Sequence, residues 1–254
     1  ARLKDQVVCV VLMTVNSVNG LIYPPIVASD EKAASVWERL FARAAAAGLD
    51  LQHIRGLTSD GAQGLLAYLR EQLVWVEQQR CVWHVWRQLG RTLATVVSQA
   101  TAALSGSEAE EARKLLRSAL GNLIHQVVDA TSPNVAEVTL RKLLAHPHGA
   151  ALGQQLTNIL DRLLVYRMAY CRGLQRVSPE WYWRDFRLRL SHGRNHRSEE
   201  RLERAAVLWA LYHNFEPAQW RSERKRHYRH PGQSALQVAG VPPGQVSYLD
   251  ALGI

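Results

Sequence analysis

Two short stretches hold the residues best suited to chemistry. The first runs from Ile54 to Leu66 and reads Ile-Arg-Gly-Leu-Thr-Ser-Asp-Gly-Ala-Gln-Gly-Leu-Leu. A short apolar run leads to Asp60, and small residues then turn the chain into a helix. A carboxylate at the end of a strand is held rigidly, and glycines behind it let a substrate backbone come close. That placement suits a metal ligand, although an Asp there can also simply cap the helix that follows. The second stretch is Gln79-Arg80-Cys81-Val82-Trp83-His84. Cys81 and His84 have the spacing of half a zinc site, but no second Cys or His pair stands at matching spacing. His84 is expected to open a helix close to the Asp60 turn, with Cys81 packed beneath; a buried Cys beside a surface His is the plainer alternative.

The bulk charge narrows the ligand class. The chain has 254 residues and a formal net charge of +9, with a pI near 9.8. An excess of this size points to a polyanionic partner, usually nucleic acid. The cations are clustered. Arg184, Arg187 and Arg189 recur along one helical pattern, Arg194 and Arg197 enclose Asn195-His196, and residues 221–230 form a basic tract that contains Arg224, Lys225 and Arg226 and the aromatic Tyr228. Such groups bind phosphates with steep salt dependence and without reading sequence, and interleaved Trp and Tyr can stack on unpaired bases. A solvated cationic face is the bland alternative. The three cysteines are odd in number and far apart, which argues against a disulfide framework and for a reducing cytosol. No apolar run reaches the length of a membrane span, so no membrane partner is expected. The first residue is not Met and no signal-peptide pattern follows it, which predicts that the chain begins inside a longer protein.

The elements that must position these residues follow from periodicity. Gln6 to Val15 is β-branched and apolar and predicts a buried strand. Asn19-Gly20 signals a hairpin, and Leu21 to Val27 returns as a second strand whose Pro24-Pro25 forces an edge or bulge. Asp30 to Ala47 predicts a helix capped by Ser29 or Asp30 and ended by Gly48, with Ala33, Val36, Trp37, Leu40, Phe41 and Ala44 as its apolar stripe. Ile54 to Thr58 is a third strand delivering Asp60. Gln63 to Val74 is a second helix, and Val76 to Val82 a short strand. This is an α/β layout around a mixed sheet.

After Trp83 the strand signals stop. One helix carries Val85, Trp86, Leu89, Leu93 and Val96. Ser107-Glu108-Ala109-Glu110 has the capping-box pattern and opens the next, with Leu115, Leu116, Leu120, Leu123 and Val127 inside. Ser132-Pro133 opens a third with Val135, Val138 and Leu143 inside. Gly153 to Tyr170 predicts a fourth, with Leu156, Ile159, Leu160, Leu163 and Leu164. Ser178-Pro179-Glu180 starts another helix, Ser198 caps the last clear one through Phe215, and the Gly- and Pro-rich tail is irregular.

In this order and spacing the residues resemble the DDE transposases of prokaryotic insertion sequences, in the group akin to Mutator-like and hAT elements. Ser59-Asp60-Gly61-Ala62 before a Gly-Leu helix looks like the second acidic residue. Gln79-Arg80-Cys81-x-x-His84 looks like the Cys-x-x-His signature that follows it. Glu180 heading a helix with Arg184, Arg187 and Arg189, and a later helix ending in Asn214-Phe215, complete the likeness, which spans residues 6–215. The resemblance implies an RNase H-like mixed-sheet core interrupted by an all-α insertion domain. It implies that Asp60 and Glu180 are catalytic and hold magnesium or manganese for strand cleavage and strand transfer. His84, Arg184, Arg187, Arg189, Arg194, Arg197, Arg224, Lys225 and Arg226 would contact DNA, both transposon ends and target. It further implies a homo-oligomer in the synaptic complex and a cytoplasmic, nucleoid-associated prokaryotic protein.

The corresponding domain division is 1–84 for the first part of the core, 85–177 for the insertion, 178–215 for the closing helices and 216–254 for the basic tail. The pattern departs from the family at the first acidic residue, whose strand would precede residue 1. Asp5 is the nearest candidate and is left unassigned. The expectation is a truncated fragment that does not cleave DNA. Glu199 and Glu200 rival Glu180, which can itself be a first-turn Glu favoured by the helix dipole. A non-catalytic DNA-binding remnant of a transposase is the alternative function, and an RNase H-like nuclease unrelated to transposition is a third.

Overall fold

The structure is a computed structural model and describes residues 2–3, 6–7, 9–11, 14–15, 20–177, 186, 198–217, 232–242 and 244–247. It is mixed α/β and mostly helical, with few and short strands. No described helix is long and apolar enough to cross a membrane. The chain divides into two compact units, one of residues 1–54, 62–74 and 179–254, the other of residues 55–61 and 75–178.

In the first unit β1 (Arg2–Leu3) pairs antiparallel with β2 (Gln6–Val7). The expected hairpin follows: β3 (Cys9–Val11) pairs with β6 (Ile26–Ala28), and β4 (Thr14–Val15) with β5 (Leu21–Ile22). On the returning strand Tyr23, Pro24 and Pro25 lie between the two pairings, where the prolines cannot donate to a ladder.

Helix α1 (Ala34–Ala46) buries Trp37, Leu40, Phe41 and Ala44, four of the six stripe residues. It starts later than expected, because Asp30 is spent on a turn: its Oδ1 accepts the Lys32 amide at 2.8 Å. At the other end Gly48 has φ of +95°, and the Leu49 amide bonds the Ala44 carbonyl at 2.9 Å, the left-handed stop its position predicts.

The last long helix of this unit, labelled α8 below (Glu199–Phe215), has its start capped by Ser198, whose Oγ accepts the Arg201 amide at 3.3 Å. It closes the open edge of the hairpin. Asn214 Oδ1 accepts the Ile22 amide at 2.9 Å and its Nδ2 donates to the Ile22 carbonyl at 2.8 Å. Glu203 accepts the Val27 amide at 2.9 Å and pairs with Arg43 at 2.7 Å. Beneath this, Phe186 meets Trp209 edge-on at 4.9 Å beside Ile22.

In the second unit β7 (Gly56–Ser59) runs parallel to β8 (Glu77–Arg80), from Gly56↔Glu77 to Ser59↔Arg80. Between them in sequence, α2 (Gln63–Gln72) belongs to the first unit, where Phe41 stacks on Tyr68 at 5.0 Å. After β8 the second unit is helical: α3 (Val82–Ala100), α4 (Gly106–Val128), α5 (Pro133–Ala145), α6 (Ala150–Thr157) and α7 (Leu160–Leu163). Their core centres on Leu89, Leu120, Ile124, Leu143, Leu152 and Leu156. Ser132 caps α5 as predicted, with Pro133 in the first turn.

Three expectations fail in this unit. The capping box at Ser107 does not form, because α4 already begins at Gly106 with Ser105 as its N-cap and no side-chain bond there. Leu115, Val135 and Val138 are not core residues but 64%, 46% and 52% exposed; Ala136, Thr139 and Leu140 turn inward from α5 instead. The fourth helix is not continuous. Beyond α7 the chain continues as 3-10 turns at Val165–Arg167 and Ala169–Cys171.

The cause of that break is Gln79, fully buried on β8. Its Nε2 donates to the Leu163 carbonyl and its Oε1 accepts the Tyr166 amide, both at 3.0 Å. A continuing α-helix would pair the Leu163 carbonyl with Arg167 and the Tyr166 amide with residue 162. The Arg167 amide bonds Leu164 instead.

Candidate functional site

Asp60 stands where the sequence places it, immediately after β7. The turn behind it is built from backbone and small groups. Ser59 Oγ accepts the Gly61 amide at 3.2 Å and the Gln78 Nε2 at 3.0 Å. The Cys81 amide extends the ladder to the Ser59 carbonyl at 2.8 Å. Gly61 has φ of +80°, a conformation that a Cβ makes costly. Asp60 and Gly61 are half-buried, so the turn is reachable from solvent.

Facing this turn from β8 is Arg80, quoted in the second motif and given no role there. Its guanidinium lies against Gly61: a Cβ on that glycine would stand 1.7 Å from Nη1 and 2.8 Å from Cζ. Burial pushes the Arg80 pKa below the usual arginine range; the Asp60 charge opposes this, and the nearby Arg162 adds to it. No sequence signal marks it: the parallel register, with Ser59 opposite Arg80, is what brings Arg80 beside the turn.

The remaining residues of the second motif divide into packing and surface. Cys81 is fully buried at the N-cap of α3, as the sequence reading has it. His84 lies half-buried on the first turn of α3, edge-on to Trp83 at 4.7 Å. Trp83 is exposed, with the Arg87 guanidinium 5.4 Å from its ring centre. Gly64, in the Asp60 motif, has a packing reason within the first unit. A Cβ there would come within 2.6–2.7 Å of the Glu31, Lys32 and Ala33 carbonyl oxygens.

Glu180, Arg184, Arg187, Arg189, Arg194, Arg197, Arg224, Lys225 and Arg226 lie outside the described residues, as does Asp5. Glu199 and Glu200 occupy the exposed first turn of α8, and Glu200 forms an ion pair with Arg204 at 2.6 Å. Among the described residues, no group of three or more His, Cys, Asp or Glu could hold a metal ion. A magnesium site needs several hard oxygen ligands. Asp60 supplies one and has a cation beside it, so the described residues by themselves do not meet the requirement.

Residues 22–143 fit a family model described as Transposase, Mutator family. That stretch contains both motifs, and the resemblance to an insertion-sequence transposase is borne out at that level. No curated protein and no solved structure matches the chain.

Proposed function

We propose that this chain, whose residues 22–143 carry the Mutator-family transposase match, is part of the catalytic region of a DDE transposase acting on DNA. The observation that carries this reading is Asp60 at the end of a parallel strand, on a glycine turn, inside the matched residues. In this reading the strands belong to an RNase H-like core and residues 85–177 are a helical insertion in it. Asp60 and Glu180 are two of its carboxylates. When bound, divalent ions would activate the attacking oxygen and stabilise the leaving one. The protein's own part is to hold Asp60 rigidly, keep the turn small enough for a DNA backbone to approach, and neutralise phosphates. The second task falls to Gly61. The third falls to His84, Arg184, Arg187, Arg189, Arg194, Arg197, Arg224, Lys225 and Arg226. Assembly as a homo-oligomer would bring two element ends together.

The test is nicking of supercoiled DNA in magnesium or manganese by the product of the complete reading frame that encodes this chain. Metal-dependent nicking that is lost in both Asp60→Ala and Glu180→Ala supports the assignment. Loss in the first variant alone moves the other carboxylate to Glu199 or Glu200. No nicking by the unaltered protein, with salt-sensitive DNA binding intact, identifies a non-catalytic remnant.

A further inference from the structure

Arg80 stands against the Asp60 turn with part of its hydrogen-bonding capacity unused. Its guanidinium occupies the space a side chain at residue 61 would fill. Its Nε is buried without a hydrogen-bond partner, an unfavourable condition for a charged donor group. A second guanidinium, Arg162, is close enough to oppose its charge. Arg162 is itself steered by its chain neighbours: Nη2 donates to the Asn158 carbonyl at 3.1 Å, and Nε lies 3.7 Å from Asp161. Arg162 has Asp161 beside it, so the charge that Arg80 brings to the turn is opposed by Asp60 and reinforced by Arg162. An arginine fork presents five donors in a plane and fits the oxygens of a phosphate two at a time.

We infer that Arg80, backed by Arg162, forms a phosphate-binding subsite that takes a non-bridging oxygen of a DNA phosphodiester and sets it beside Asp60. Arg80 then has two states. Without DNA it lies beside the Asp60–Gly61 turn; with DNA it turns its fork to the phosphate. This rests on the proposed function for its ligand class, but not on any metal. The alternative is an arginine that only balances Asp60 within the fold, and the two differ in what DNA binding reads.

The experiment is fluorescence anisotropy of a labelled 20-base-pair duplex in metal-free buffer across a salt series. Arg80→Gln is expected to weaken binding by about tenfold at low salt and to flatten the slope of log K against log salt by about 0.9, the loss of one phosphate contact. Asp60→Asn is expected to tighten metal-free binding, because it removes a repelling carboxylate and releases Arg80. In the double variant the gain is smaller, because only the lost repulsion remains. An unchanged slope in Arg80→Gln, or a gain from Asp60→Asn that survives Arg80→Gln undiminished, overturns the subsite.

Arg80→Lys covers the case in which the Gln variant does not fold. It keeps the slope and loses affinity, since a point charge replaces the fork; undiminished affinity overturns the inference. The catalytic reading fails separately. Nicking that needs Asp60 alongside an unaltered slope in Arg80→Gln retires only the subsite, whereas absent nicking with the Arg80 coupling intact retires only the catalysis.

Discussion

Gln79→Met removes both polar ends of a buried side chain and nearly conserves its volume, so its effect isolates the hydrogen bonds. Gln79 is fully buried. Two of its bonds reach distant main-chain groups, the Leu163 carbonyl and the Tyr166 amide, each at 3.0 Å. A buried polar group left without its partner costs about 1–3 kcal/mol, so the two together bound the loss at about 2–6 kcal/mol. Part of it is recovered if the chain rewinds and pairs these groups within a longer helix, which places the expected loss near 3 kcal/mol. Urea unfolding followed by circular dichroism at 222 nm measures it, with Leu115→Ser as the control. Leu115 is exposed on α4, and a surface change of this kind stays within about 0.5 kcal/mol. A loss in Gln79→Met no larger than that of the control refutes the claim that Gln79 holds the broken helix against β8. A gain in helical signal, in contrast, would show directly that Gln79 is what interrupts it.

Asn214→Leu should cost about 2–4 kcal/mol, because the Ile22 amide and carbonyl both lose their partner at a strand edge; hydrogen exchange at the Ile22 amide should accelerate with it. Gly64→Ala drives a methyl group to 2.6–2.7 Å from three carbonyl oxygens, and overpacking of this kind costs about 1–3 kcal/mol; an unchanged thermal midpoint would contradict the packing. Burial, and then the Glu77 charge, push the Cys171 thiol above its usual 9.0. Its folded-state pKa is raised, so the stability it contributes is complete below pH 9 and falls as the pH rises through the folded value. The same shift makes Cys171 slow to react with iodoacetamide at pH 8 in the native protein, and rapid labelling there, matching that in urea, would refute it.

Much of the local structure was legible because it depends on neighbours in sequence. The antiparallel return of Leu21–Ile22 on Thr14–Val15, the Gly48 stop, the Ser132-Pro133 start and the strand that delivers Asp60 all follow from turn chemistry and short-range periodicity. The apolar stripe of α1 is likewise a local pattern. These signals sufficed to find the two motifs, both inside the residues that fit the Mutator-family transposase model.

Tertiary contacts decided what those signals could not. Leu163 and Leu164 lie on a sound helical pattern, yet the helix ends because a side chain 84 positions earlier in the sequence takes the Leu163 carbonyl. Val135, Val138 and Leu115 carry the same apolar character as their buried neighbours and face outward, since which face of a helix is covered depends on where the next helix packs. Arg80 reads as one more cation in a basic chain until the parallel register sets it against Gly61 and Asp60. By itself the sequence determined the elements, the charge and the candidate carboxylate, because these are properties of short segments. Only the tertiary structure decided where a helix stops, which apolar residues are core and which cation shares the Asp60 turn, because each depends on groups far apart along the chain that meet only when it folds.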